Sequence, residues 1–96
     1  MLDNEPLRPA EAKKLIREIL ENGDVTFTNP HAYEELAKDG LETVDAVNVL
    51  RGGIVDEAQF ENSAWRYRVH TARICVVIEF KSQTNLKVIT AWRIRR

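Results

Sequence analysis

Between Trp65 and His70 the chain alternates bulky residues with cations: Trp65, Tyr67 and Val69 against Arg66, Arg68 and His70. Side chains on an extended strand point alternately to opposite faces. The three basic groups therefore share one side, about 6.6 Å apart. Guanidinium forks at that spacing suit the oxygens of a phosphate backbone. A solvated strand face is often charged for solubility alone, but that predicts mixed signs, and this row is uniformly cationic. His70 can move protons near neutral pH, and arginine neighbours favour its neutral form. Its plainer role is packing or a simple hydrogen bond.

His31 is a second candidate for proton transfer. It falls in the first turn of a helix, where the dipole disfavours a cation and free amides favour a phosphate. Its plainer role is that of a helix-start residue. Near the end, Thr90-Ala91-Trp92-Arg93 offers Trp92 to stack on a base and Arg93 to hold a phosphate. Equally, Trp92 closes the core and the terminal arginines are solvated. Asp45, Asp56 and Glu57 have no metal-ligand spacing, so neither metal nor cofactor is expected. No P-loop, dinucleotide glycine pattern or nucleophile elbow occurs.

Helices come first. Pro9 to Asn22 carries an apolar stripe, Ala12, Leu15, Ile16, Ile19 and Leu20, and Gly23 is the expected left-handed stop. Val25–Thr28 reads as extended. Asn29 caps and Pro30 opens a second helix that turns Tyr33, Leu36 and Ala37 inward and ends at Gly40. A third runs from Thr43, burying Val44, Val47 and Leu50, to Gly52-Gly53. Ile54–Glu61 reads as a strand and Asn62-Ser63-Ala64 as a hairpin loop. Trp65 to Phe80 lacks Gly, Pro, Asn and Asp, which predicts one long bent strand, or two joined by a bulge, rather than two separate ones. Lys81–Asn85 makes the next turn and Leu86–Arg93 the last strand. The expected class is α+β, with helices on one face of an antiparallel meander.

Ninety-six residues, 44% of them hydrophobic, suit one folded domain over 1–96 with one modest core. A site must then be a surface or a shallow groove. The single cysteine, Cys75, excludes an internal disulfide and reads as a small buried hydrophobe. No stretch approaches a membrane span, and the start lacks the form of a signal peptide, so a cytoplasmic location is expected. The net charge of −1 conceals a division. Residues 1–64 carry six Lys/Arg and fourteen Asp/Glu, a net −8, while residues 65–96 carry eight and one, a net +7. Such asymmetry hints at polyanion contact. The alternative is that the halves neutralise each other within the fold.

Phe27…His31-Ala32, Leu50…Gly53, Trp65-Arg66-Tyr67-Arg68-Val69, Val76-Val77-Ile78 and Val88-Ile89-Thr90-Ala91-Trp92 resemble a family of small bacterial domains of unknown function. That family looks like a branch of the RelE-like toxins, which include MqsR and BrnT and often neighbour a zinc-finger antitoxin of the MqsA type. The resemblance covers about residues 25–95. It implies a RelE-like toxin fold and metal-independent RNA cleavage, in which the ribose 2′-hydroxyl attacks the adjacent phosphate. His31, Arg66, Tyr67, Arg68 and Thr90 match the motif, although many relatives are net basic and this chain is not. The expected function is the endoribonuclease toxin of a type II toxin–antitoxin pair. Its partners would be an RNA substrate and a cognate antitoxin of zinc-finger or helix-turn-helix type. His31 or His70 would move protons, with Arg68 as the third catalytic group. Arg66 and Arg93 would bind phosphate beside Arg68, and Tyr67 or Trp92 would stack. The rival is a non-enzymatic module that binds nucleic acid or protein through the same face.

Overall fold

The computed structural model describes residues 2–95. In chain order it contains α1 (Pro9–Asn22), β1 (Asp24–Phe27), α2 (His31–Lys38), α3 (Thr43–Gly52), β2 (Ile54–Val55), β3 (Gln59–Glu61), β4 (Ala64–His70), β5 (Ile74–Ser82) and β6 (Asn85–Arg93). The fold is α+β. Its sheet runs β1-β6-β5-β4-β2, with β3 also pairing β4. Strands β2 to β6 form the expected antiparallel meander, but β1 adds to β6 in parallel, so the sheet is mixed.

Pro9 opens α1, and Glu11 accepts the Arg8 amide at 3.0 Å to complete its first turn. Ala12, Leu15, Ile16 and Ile19 are buried, as their spacing predicts. The stop at Gly23 works differently from expectation. Its φ of −119° is extended rather than left-handed. A Cβ there would overlap the Thr84 carbonyl, which the neighbouring Asp24 amide bonds at 2.8 Å. Glycine is needed because β1 enters the sheet against the β5–β6 turn. Gly23→Ala should therefore cost about 1–3 kcal/mol, the usual scale of overpacking, and lower the thermal midpoint. A circular-dichroism melt checks this; an unchanged midpoint would show that the turn yields freely.

Helices α2 and α3 form where predicted, with Leu36 and Leu50 buried as expected, but the rest of each inward face differs. Ala32 and Leu36 are buried in α2, while Tyr33 is 47% exposed and Ala37 lies outside. Tyr33 instead leans on Phe27, ring centres 5.7 Å apart. Pro30 caps α2, so His31 is its first residue. In α3 the buried positions are Ala46, Val49 and Leu50; Val44 is 54% exposed and Val47 half-buried. In each helix an alanine and a leucine, joined in α3 by Val49, make the buried face.

The predicted 54–61 strand is broken into β2 and β3. Asp56 still donates its amide to Arg68 O at 2.9 Å, and pairing resumes at Gln59. Asn62 and Ser63, both at positive φ, form a two-residue turn, and Ala64 already belongs to β4. The predicted 65–80 strand is two strands, β4 and β5, joined by Thr71-Ala72-Arg73. The Thr71 hydroxyl oxygen accepts the Arg73 and Ile74 amides, each at 3.1 Å, and the Thr71 amide bonds Ile74 O. A threonine does here what Asn or Asp does in commoner turns. The next turn is shorter than expected, since β5 reaches Ser82 and β6 starts at Asn85.

One side of the sheet, carrying Tyr67, Val69, Val76, Ile78, Leu86, Val88 and Ala91, meets α1 and α3 in the core. Helix α2 packs beside β6. No helix among the described residues is long and apolar enough to cross a membrane.

Candidate functional site

The sheet face turned away from this core carries the chemistry-bearing side chains in cross-strand rows. His70 pairs with Cys75, and Cys75 with Trp92, so these three lie in one row across β4, β5 and β6. Arg68, Val77 and Thr90 make the next row by the same registers. Arg66 lies one further step along β4, beside Glu79 and Lys87. Directly opposed residues share a face, so Arg66, Arg68, His70, Thr90 and Trp92 converge on one surface. Trp92 is 37% exposed there, not closed into the core. Cys75 and Val77 floor the strip and are buried under the longer side chains. Burial pushes the Cys75 thiol up, against a nucleophilic role.

Electrostatically the strip departs from the uniformly cationic row that β4 alone suggests. The basic groups of β4 each meet an acid from outside their own strand. Arg66 Nε donates to Glu79 Oε2 at 2.9 Å, and Lys81 Nζ donates to the same carboxylate at 2.7 Å. Glu79 is nearly buried. Burial alone would raise its carboxyl, but the hydrogen bonds from Lys81 and Arg66 outweigh that and hold it below the usual range. Arg68 donates to Gln59 Oε1 at 2.7 Å and Glu61 Oε1 at 3.1 Å. His70 Nε2 lies 3.1 Å from Asp56 Oδ1, so its nearest charge is a carboxylate rather than an arginine. Further round, Asp39 binds Arg95 at 2.7 Å, so the acidic and basic halves do neutralise each other.

These pairs differ in strength. Arg66 and Glu79 are largely shielded from water, which makes their contact structural. Arg68 and Glu61 are each about one-third exposed, and such pairs are worth ~1 kcal/mol or less. An incoming phosphate can therefore displace Glu61 from Arg68 far more readily than Glu79 from Arg66.

Three expected site residues lie elsewhere. Tyr67 is fully buried: its hydroxyl donates to Glu5 Oε2 and accepts the Leu7 amide, both at 2.9 Å. Burial drives its phenol strongly upward, and it cannot stack on RNA. The Arg93 side chain donates to Asp39 O at 2.8 Å, where it ties β6 to the end of α2 rather than waiting for phosphate. Its amide donates to Asp39 Oδ2 and is the first cause holding that carboxyl below its ordinary value. His31 is exposed on α2, beside β6, whereas His70 is on β4, with β5 between. Two strand spacings, roughly 10 Å, separate β6 from β4, which argues against the two histidines serving one reacting phosphate as a base–acid pair. Sequence reasoning missed Asp56, Gln59, Glu61 and Glu79. Alternation of Gln59 with Glu61 was the available signal for β3. No three His, Cys, Asp or Glu side chains among the described residues converge as a metal site.

Fold and site together define an α+β domain with one charged, polar sheet face opposite its helical core. The chain belongs to the DUF4258 family, described as a domain of unknown function, which matches residues 27–93. That span holds every strand of the sheet except the first three residues of β1, and so the whole strip. No curated protein and no solved structure matches the chain.

Proposed function

We propose that this domain is an endoribonuclease, the toxin of a type II toxin–antitoxin pair, that cleaves RNA on the strip around Cys75 and Val77. The observation supporting this reading is the convergence of Arg68, His70, Thr90 and Trp92 on one open face, with a movable cation beside a group able to transfer protons. Arg68 leaves Glu61 to meet the scissile phosphate. His70, oriented by Asp56, takes the proton of the attacking 2′-hydroxyl or returns one to the departing 5′-oxygen. Arg68 stabilises the charge that develops on phosphorus oxygens, and Arg66 sets the local field. Trp92 offers a stacking surface at the opposite end of the His70 row. No metal takes part in this scheme, the site of action is the cytoplasm, and an acidic antitoxin surface covering Arg68 silences the protein.

One observation favours the rival reading of a binding module: Arg66, Arg68, His70 and Lys81 already have internal carboxylates, leaving the face nearly balanced. Incubation of the purified protein with RNA in EDTA separates the two. The expected products carry a 2′,3′-cyclic phosphate and a 5′-hydroxyl. Cleavage that stops in EDTA would refute the metal-free scheme. RNA that is bound but never cut, alone or in a translating extract, would establish the binding module.

A further inference from the structure

Beyond His70 the strip opens into a groove of about 560 Å³ lined by Gly52, Ile54, His70, Ala72 and Ile94. Here the end of α3, strand β2, the β4–β5 turn and the segment after β6 come together. We propose that this groove seats one nucleobase of the bound RNA, which makes it the determinant of where the chain is cut. The proposal rests on the RNA reading above.

Three features point to a base rather than to phosphate or sugar. His70 is the sole ionisable side chain in the lining, and the rest is glycine, aliphatic carbon and the Thr71 hydroxyl. The volume falls within the ~300–1,000 Å³ usual for small-ligand sites, which are mainly apolar with a few polar groups. Ile54, 62% exposed at the rim, supplies an apolar wall that has nothing to cover in the free protein.

The groove is also continuous with the cationic strip. His70 belongs to both, and Arg68 lies one same-face step along β4, about 6.6 Å away. A nucleotide with its base in the groove would thus bring its phosphate to Arg68. The two glycines have separate duties. A Cβ on Gly53 would come within 2.6 Å of Val49 O and 2.9 Å of His70 O, so Gly53 lets α3 pass against the backbone of His70. Gly52 is helical, and a Cβ there meets nothing within 4 Å. Its bare backbone leaves the groove open without any demand from packing. Gly52→Leu is therefore a plug that the fold can accept.

The test is an amide-resolved NMR titration with the four nucleoside 3′-monophosphates, with inorganic phosphate as the reference probe. The nucleotides should shift Ile54, Ala72 and Ile94 and saturate with base-dependent affinities, while phosphate shifts only the Arg68 region. Gly52→Leu should weaken nucleotide binding about tenfold or more, the scale of lost fit in a small apolar pocket, and leave phosphate binding unchanged. Ala72→Leu, at an exposed turn residue, provides a second plug should the first disturb α3. Nucleotides that bind no differently from phosphate, or plugs that bind like wild type, would overturn the proposal. RNA cleavage on the same samples keeps the two ideas apart. Base-dependent binding without cleavage retains the groove and rejects the nuclease; cleavage without groove shifts does the reverse.

Discussion

His70→Ala should slow RNA cleavage by about 10²–10⁴-fold, the contribution typical of a general acid or base, while leaving the domain folded. The imidazole is half-buried at the end of β4, and Asp56 holds its Nε2 at 3.1 Å, leaving Nδ1 for the ligand. Because that contact orients the ring, Asp56→Asn should slow turnover as well, with RNA binding little changed. Arg68→Ala should cost about 10²–10³-fold, as loss of a preorganised charge stabiliser does, and should weaken binding too. His31→Ala should cut at the wild-type rate, because α2 packs against β6, two strands across the sheet from the β4 that carries His70. Single-turnover cleavage of one labelled RNA by these variants decides the matter. A fully active His70→Ala, or an inactive but folded His31→Ala, would move the chemistry from the strip to the start of α2.

The sequence carried this arrangement unevenly, and the reasons are physical. Helix α1 was readable to the residue because its stripe and proline start are local signals; Gly23 marked its end, though the close approach of Thr84, not a left-handed cap, is what requires glycine there. Alternation on β4 placed Arg66, Arg68 and His70 on one side correctly, since period two is intrinsic to a strand. The acids that neutralise them were not readable. Glu61 comes from β3, Asp56 from the break between β2 and β3, and Glu79 from β5, so their roles depend on register. The β4–β5 turn was invisible because a threonine hydroxyl made it without glycine, proline, Asn or Asp. Strand β1, four residues long, gave no sign of its parallel partner 61 positions away. A single strand thus reports its own faces well and the charges across from it not at all.

That limit is sharpest at Tyr67, whose binding partners lie some sixty residues earlier. Alternation put it on the face of Trp65 and Val69, while the family resemblance implied that it could stack on RNA. Its ring instead fills the core against Phe80, centres 5.0 Å apart, and its hydroxyl ties the N-terminal segment to the sheet. The Leu7 amide donates to that oxygen and the oxygen donates to Glu5, while Leu2 and Leu7 are buried nearby. Tyr67→Phe keeps the ring and strands both partners, a buried amide among them. It should cost about 1–3 kcal/mol. For a domain of this size that is a fall of roughly 5–20 °C in Tm. Tyr67→Ala should cost about 3–5 kcal/mol through the cavity it opens, a large part of the ~5–15 kcal/mol that holds a typical domain together. Thermal unfolding followed by circular dichroism measures both, and adding Glu5→Ala to Tyr67→Phe isolates the tie. The double variant should lose less than the sum of the singles, because both remove one shared hydrogen bond. A Tyr67→Phe protein that melts with wild type but binds RNA poorly would restore the phenol to the RNA face and contradict its buried position.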